Sequence, residues 1–388
     1  MIGSYHARYS TVKQICPGKS LSEHAQYARL RTVPRKKSRA GPSRKSVGVR
    51  KQVSLKQLAD HLGFSPATVS LVLNGSSHAD SIPQETKELV KAAARELNYR
   101  PNFFARSLRT RRSFTVGVIV PEISEGYTAT VLGGIEDYLL EEGYFYFVTS
   151  HRHRPDLIDE YPKMFLDRNV DGVIAIDTPW HHKLPVPVAT ISGHNHAPGV
   201  TNVVLDHDRA SELALKHLVE LGHRKIAFIK GQKFSSDTEV RSKANLDAAL
   251  RLGVEVRSKL IVQLEEDSPS PQVGYKATKK LIDCKEPFSA IFAFNDISAL
   301  GAIHALRHSN LRVPEDVSVV GFDDIESATH SSPELTTVKQ PLRKMGQIAA
   351  EVVLRLVRTP SAARRGRRIV VEPELIVRES TCQANSHP

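Results

Sequence analysis

Only three cysteines occur in 388 residues, and Cys16, Cys284 and Cys382 are too scattered for a disulfide framework or a cysteine metal site. That scarcity excludes a stapled secreted scaffold and fits a reducing cytoplasm, the expected location. No stretch reaches the roughly 18 apolar residues that a membrane helix needs, and residues 1–30 lack the apolar core of a signal peptide. Enzyme fingerprints are missing as well. Lys230-Gly231-Gln232-Lys233 is not a phosphate loop, and Leu132-Gly133-Gly134 opens no dinucleotide motif. Neither an enzyme nor a cofactor is therefore expected. His151-Arg152-His153, His181-His182 and His194-Asn195-His196 have no cysteine or carboxylate partners at matching spacing, so they read as solvated loop histidines and no metal is expected.

Acidic residues are nearly absent from the first 52 positions, which hold 13 Lys and Arg against one Glu. Residues 53–112 carry +4 and residues 113–388 carry −4, so the net charge of +12 is entirely N-terminal. A basic arm and head on a mildly acidic body is the electrostatic footprint of a nucleic-acid binder. Residues 1–52, with Arg35, Lys36, Lys37, Arg39, Arg44 and Lys45 among Pro, Gly and Ser, show no periodicity and read as a disordered arm. Two readings stand beside each other: an arm that strengthens non-specific DNA attraction, or a misassigned start, with the natural chain beginning near Val47 or Val49.

The stretch Val53 to Gly75, VSLKQLADHLGFSPATVSLVLNG, carries the first strong signal. Ser54 and Gln57 form a capping-box pattern, with Leu55, Leu58, Ala59 and Leu62 on one helical face and Gly63 as the stop. Ser65 then serves as N-cap, Pro66 suits the first turn, and Val69, Val72 and Leu73 mark a second buried face. Two short helices sharing a tight turn predict a helix-turn-helix, with Pro66, Ala67, Thr68, Ser70 and Leu71 turned toward DNA. Pro83 to Leu97 supplies a third helix, with Thr86, Leu89, Val90, Ala93, Ala94 and Leu97 at core spacing.

The pairing of S-x-A-T-V-S-x-V-L-N-G, ending at Gly75, with N-Y-R-P-N-x-x-A-R-S-L-R-T, from Asn98 to Thr110, resembles the LacI/GalR family of bacterial transcriptional regulators. The resemblance runs from about Val53 to about Thr381. It implies Ser65 and Asn74 among the DNA-binding residues, and a hinge helix over Asn102 to Leu108 that folds on operator. There Leu108 would act as a minor-groove wedge, Ala105 would permit close approach, and Asn102, Arg106 and Arg109 would sit at phosphates or groove. A helix that short is below the roughly 12 to 15 residues needed for even marginal stability alone. Relatives often carry Arg where Leu71 stands, so no strong guanine preference is expected from it.

From Phe114 onward, Val- and Ile-rich runs at 115, 144, 170, 224, 288 and 317 alternate with amphipathic segments, which predicts parallel sheets covered on both faces, too many strands for one. The fold class expected is an N-terminal all-α helix-turn-helix head plus an α/β two-lobed periplasmic-binding-protein-like (Rossmann-like) effector domain. Its boundaries are 53–100 for the head, 101–112 for hinge and linker, 113–382 for the body and 383–388 for a tail. Lobe one is placed at 115–221 and 342–369 and lobe two at 224–338 and 370–382, with crossings near Gly222, Gln340 and Val370.

Ligands bind beyond the carboxyl ends of strands in such sheets. Those ends carry Glu122 to Tyr127, Asp177, Ser192 to His196, Ser235 to Arg241, Asn295-Asp296 and Asp323-Asp324. By resemblance Arg241, Asn295, Asp323 and Gln340 match effector-contact positions, while Tyr127 can stack on a ring. Asp296 also reads as the cap of a helix starting at Ile297, Asp206 as a cap and Asp324 as turn chemistry. The implied partners are double-stranded operator DNA with a pseudo-palindrome, a small carbohydrate-like effector, and a second copy in a homodimer or higher assembly; no membrane is expected. Repression is the usual mode in families like this.

Overall fold

The computed structural model describes residues 53–74, 77–99, 107, 112–123, 126–193, 197–359 and 366–384. The basic arm 1–52, the hinge residues Asn102, Ala105, Arg106, Leu108 and Arg109, and His194 to His196 lie outside the described residues. The chain divides into two compact units, residues 1–100 and 101–388, each taken by itself below.

The head contains α1 (Leu55–Leu62), α2 (Pro66–Leu73) and α3 (Gln84–Glu96), with a 3₁₀ turn at Ser77–Ser81. Local chemistry sets its boundaries. Ser54 Oγ accepts from Gln57 N at 3.2 Å, Gln57 Oε1 accepts from Ser54 N at 2.9 Å, and Gly63 takes the left-handed conformation that ends α1. Leu58, Ala59, Val69, Val72, Val90, Ala93 and Ala94 form the core. Leu89 departs from expectation: it is 50% exposed, because the apolar stripe of α3 is satisfied by Val90, Ala93 and Ala94 on the neighbouring face.

The body holds two six-stranded sheets. In the first, β1 (Thr115–Val120), β2 (Phe145–Ser150), β3 (Gly172–Ile176), β4 (Val188–Ile191), β5 (Thr201–Leu205) and β11 (Arg368–Val371) lie in the order β11-β5-β4-β3-β1-β2, all parallel. In the second, β6 (Ile226–Lys230), β7 (Ile261–Gln263), β8 (Ala290–Phe292), β9 (Ser318–Asp323), β10 (Thr336–Lys339) and β12 (Glu374–Ile376) lie in the order β12-β10-β9-β8-β6-β7, with β12 alone antiparallel. The helices between are α4 (Tyr127–Glu141), α5 (Pro155–Asp167), α6 (His207–Glu220), α7 (Asp237–Arg251), α8 (Gln272–Asp283), α9 (Asp296–His308), α10 (Glu326–Thr329) and α11 (Leu342–Arg358). Among the described residues no helix is long and apolar enough to cross a membrane.

Glycines set the helix packing in each lobe. A Cβ on Gly134 of α4 would lie 1.8 Å from the Arg343 carbonyl oxygen, and one on Gly346 of α11 would lie 2.1 Å from that of Val131. The two backbones therefore touch directly, which accounts for the Gly133-Gly134 pair without any nucleotide.

Two crossings differ from expectation. Helix α6 packs on α7, β10 and β12, so the chain leaves the first lobe at Asp206 rather than at Gly222. The reason is the carboxyl-end exit of β5: Asp206 caps α6 by accepting from Arg209 N at 2.9 Å and turns the helix toward the second sheet. The last crossing falls after Val371, because Val370 and Val371 still pair with Val204 and Leu205.

Candidate functional site

The head offers one face for DNA. Ser65 caps α2, its Oγ accepting from Thr68 N at 3.1 Å, and Pro66 and Ala67 are exposed beside it. Thr68 and Leu71 are partly exposed. Ser70 is not turned outward as expected. It is 7% exposed, and the exposed Asn74 donates from Nδ2 to its carbonyl oxygen at 2.7 Å and its Oγ at 3.0 Å. A small polar residue flanked by Val69 and Val72 is thus buried, with its hydroxyl engaged by the side chain one turn on.

In the body, the carboxyl ends of both sheets face each other across a cleft enclosing about 120 Å³. Tyr127, Asp177, Asp237, Arg241, Asn295 and Asp323 line it with polar groups. Arg241 is buried and fixed. Its Nη2 donates to Asp237 at 2.9 Å, its Nη1 donates to the Phe294 carbonyl at 2.5 Å, and its guanidinium lies 3.7 Å from the Phe322 ring centroid. Its Nε has no hydrogen-bond partner among the described residues. His207 approaches the same carboxylate at 3.3 Å from the other side. Asn295 caps α9, accepting from Ser298 N at 2.9 Å. Asp296 is therefore the first residue of α9 and not its cap; fully buried, it accepts from Thr337 Oγ1 at 2.5 Å and Ile325 N at 2.9 Å. Gln340 does not line the cleft; it stands behind Asp323 and donates to it at 2.6 Å. Asp324 turns away to an ion pair with Arg378 at 2.6 Å.

The lobes are latched across this cleft. Asp177, at the end of β3, accepts from Ser236 N at 3.0 Å and bonds Ser235 Oγ at 3.2 Å. Ser236 Oγ sits 2.7 Å from Asp177 and also against the Ser192 carbonyl oxygen. Asp177 thus receives three donors from Ser235 and Ser236 across the cleft. His153 completes the latch, stacked 3.7 Å from Phe234 and 3.4 Å from Asp267. Sequence reasoning took His151 and His153 for solvated loop histidines, whereas His151 is buried and the His153 side chain is only 14% exposed, and it missed Phe234, Asp267 and His207; the Asp237–Arg241 pair, four residues apart on one helix, was open to it.

Burial pushes the carboxyl of Asp177 up to about 7, with the charge of Asp237 adding to it. Burial also pushes Asp323 up to about 7 against the pull of Arg241. Burial and the neighbouring carboxylates hold Tyr127 well above the usual phenol range, so its hydroxyl, 2.9 Å from Ser192 Oγ, stays neutral. For an acid raised in the folded state, the favourable protonated form persists at low pH and its contribution is lost as pH rises from about 4 through about 7. Asp177→Asn, which cannot ionise, should therefore match the parent in thermal stability near pH 4 and exceed it by a margin that widens up to about pH 7. A gap that does not widen over that range would refute the raised pKa of Asp177.

Comparison with known proteins decides the family. Residues 54–102 match the model of bacterial regulatory proteins, lacI family, and residues 215–381 match a periplasmic binding protein-like domain. The HTH-type transcriptional repressor PurR of Haemophilus influenzae is 30% identical over 337 residues, covering 84% of this chain and 98% of that protein. The chain belongs to the lacI family of bacterial regulatory proteins. It is a DNA-binding transcriptional repressor of that family rather than an enzyme. Among solved structures, this repressor is similar to the lac repressor dimer bound to operator and the anti-inducer ONPF, with a TM-score of 0.76, 27% identity, and 86% of this chain and 100% of that one covered. It is also similar to the transcriptional regulator CelR in complex with cellobiose, with a TM-score of 0.62, 29% identity, and 85% and 100% covered.

Proposed function

We propose that this lacI-family repressor works as a homodimer on a pseudo-palindromic operator and is switched by a neutral, hydroxyl-rich small molecule held between its lobes. The observation that carries the effector class is the charge balance of the cleft: Asp177, Asp237 and Asp323 face one guanidinium, which Asp237 already engages. Carboxyl groups accept hydrogen bonds whether ionised or not, and with Asp177 and Asp323 raised to about 7 they can also donate one, so the lining suits the hydroxyls of a sugar or polyol, while an anion would meet a guanidinium that Asp237 already engages. The cellobiose complex of CelR supports the same class. In this reading Tyr127 and Asp323 contact the effector, Asn295 offers its amide N–H₂, and Gln340 orients Asp323 from behind. Closure on the ligand shifts the first lobe against the second in each copy, and residues 101–112 pass that change to the heads.

The test is a thermal-shift and gel-shift panel on the full chain with DNA from upstream of its own gene. Its arms are neutral sugars and polyols, sugar acids and phosphates, and planar nitrogen heterocycles. A neutral polyol should raise the melting temperature and change operator affinity by about 5- to 150-fold, the range of a coupling of about 1–3 kcal/mol. A response confined to anions or heterocycles would overturn the effector class while leaving the repressor reading intact.

A further inference from the structure

Away from the cleft, on the outer side of the first lobe, the fold builds a three-ligand cluster that the sequence does not announce. His181 and His182 sit in the β3–β4 connection, and Asp159 reaches them from α5, 22 residues earlier than His181. Asp159 Oδ1 lies 3.1 Å from His181 Nε2 and 3.3 Å from His182 Nε2, and the three ligand atoms all fall within 4.8 Å of one another. The missing carboxylate partner of the histidine pair is thus supplied by another element. The imidazole rings stand 4.2 Å apart at 37°, both presenting Nε2 to the same oxygen.

Two features make this more than a surface ion pair. Trp180 is buried, donates from Nε1 to the His182 carbonyl oxygen at 3.0 Å and packs edge-on at 5.3 Å to the His182 ring, so the loop that presents the donors is fixed. His182 Nε2 is buried and has no hydrogen-bond partner among the described residues, although Asp159 is within 3.3 Å; the approach is close but misaligned for a proton between them. A buried ring nitrogen left without a hydrogen bond beside a carboxylate oxygen is an unfavourable neighbour unless a cation lies between.

We propose that Asp159, His181 and His182 bind one divalent ion of the zinc class, with water completing the shell. Metal–nitrogen and metal–oxygen bonds of about 2.0–2.2 Å place tetrahedral ligands about 3.4 Å apart, close to the two separations observed. Two imidazoles and a carboxylate suit Zn²⁺, Co²⁺ or Ni²⁺ over Mg²⁺ or Ca²⁺, which prefer all-oxygen shells. The nearby Lys163 is drawn off by Glu160 at 3.6 Å, so it does not cap the carboxylate. An ion here would tie α5 to the connection that begins at Asp177, the latch residue of the cleft.

The experiment is calorimetric titration of tag-free, full-length protein with Zn²⁺, and Co²⁺ absorption as a geometry probe. The comparison variants are Asp159→Asn/His181→Ala at the site and His304→Ala/His308→Ala at the other exposed histidine pair, on α9. The parent should bind Zn²⁺ with a tetrahedral Co²⁺ spectrum and a rise in melting temperature, as for any ligand that binds only the folded state. The site variant should lose the spectrum and weaken binding at least about tenfold, while melting like the parent in chelator; the α9 variant should behave as the parent. No saturable binding by the parent, binding weakened less than that in the site variant, or loss on changing α9 instead would each overturn the proposal.

Discussion

Arg241→Ala is expected to cost about 3–5 kcal/mol of stability in urea unfolding, the range for stripping one partner from a buried ion pair. The cost comes from what is left behind. Asp237 is 4% exposed and would lose the guanidinium that balances its buried charge, the Phe294 carbonyl would lose its donor, and the Phe322 face would lose its cation. Adding Asp237→Asn should recover at least about 1 kcal/mol, because it removes the stranded charge. A loss under 1 kcal/mol, or no recovery in the double variant, would show that the pair does not hold the second lobe. Since Arg241 is structural in this sense, effector contacts are better probed at Asp323→Asn and Tyr127→Phe.

The second large effect concerns DNA. Scrambling three base pairs in one half of the operator should weaken binding at least about 100-fold, since each mismatch costs about 1–3 kcal/mol. One head cannot compensate. Helix α2 is only eight residues long, and its outward residues Pro66, Ala67, Thr68 and Leu71 include none of the long donors that read guanine or adenine bidentately. The amide of Asn74 is drawn back to Ser70. In the proposed dimeric reading, discrimination comes from doubling a weak reader by two-fold symmetry. Equal affinity for an intact site and an isolated half-site in a gel shift would sink the dimeric reading.

What could be read from the chain depended on how local the cause was. The capping box at Ser54, the stop at Gly63 and the cap at Ser65 are settled within four residues, and the structure has them as the sequence suggests. The apolar cores of β1, β3, β6, β8 and β9 were legible because a strand buried on both faces must be apolar throughout. β5, β10 and β12 were not: TNVVL, TTVK and ELI are short and half polar, and sheet neighbours rather than composition make them strands. Helix α6 was recognisable as a helix, yet its lobe depends on a turn at Asp206 that no periodicity encodes. Leu89 and Ser70 show the same limit at single residues. Spacing assigned one to the core and the other to the surface, and packing reversed both. In the cleft, the strand-end rule brought out Asp177, Arg241 and Asp323, whereas His153 and Asp267 meet only because two lobes close.

The interleaving of the lobes also bears on how the protein is made. β5 ends at Leu205, its outer neighbour β11 begins at Arg368, and α11, which covers β3, β4 and β5, begins at Leu342. At about 5–20 residues per second, a ribosome needs roughly 8 to 30 s to synthesise the roughly 160 residues between β5 and β11. Throughout that interval the first sheet has an open edge at β5 and, until α11 emerges, a bare apolar face around Ala189, Ile191 and Val203. The lobe begun first is therefore among the last to be finished, and nascent chains stalled between Asp206 and Leu342 are the ones that need a chaperone.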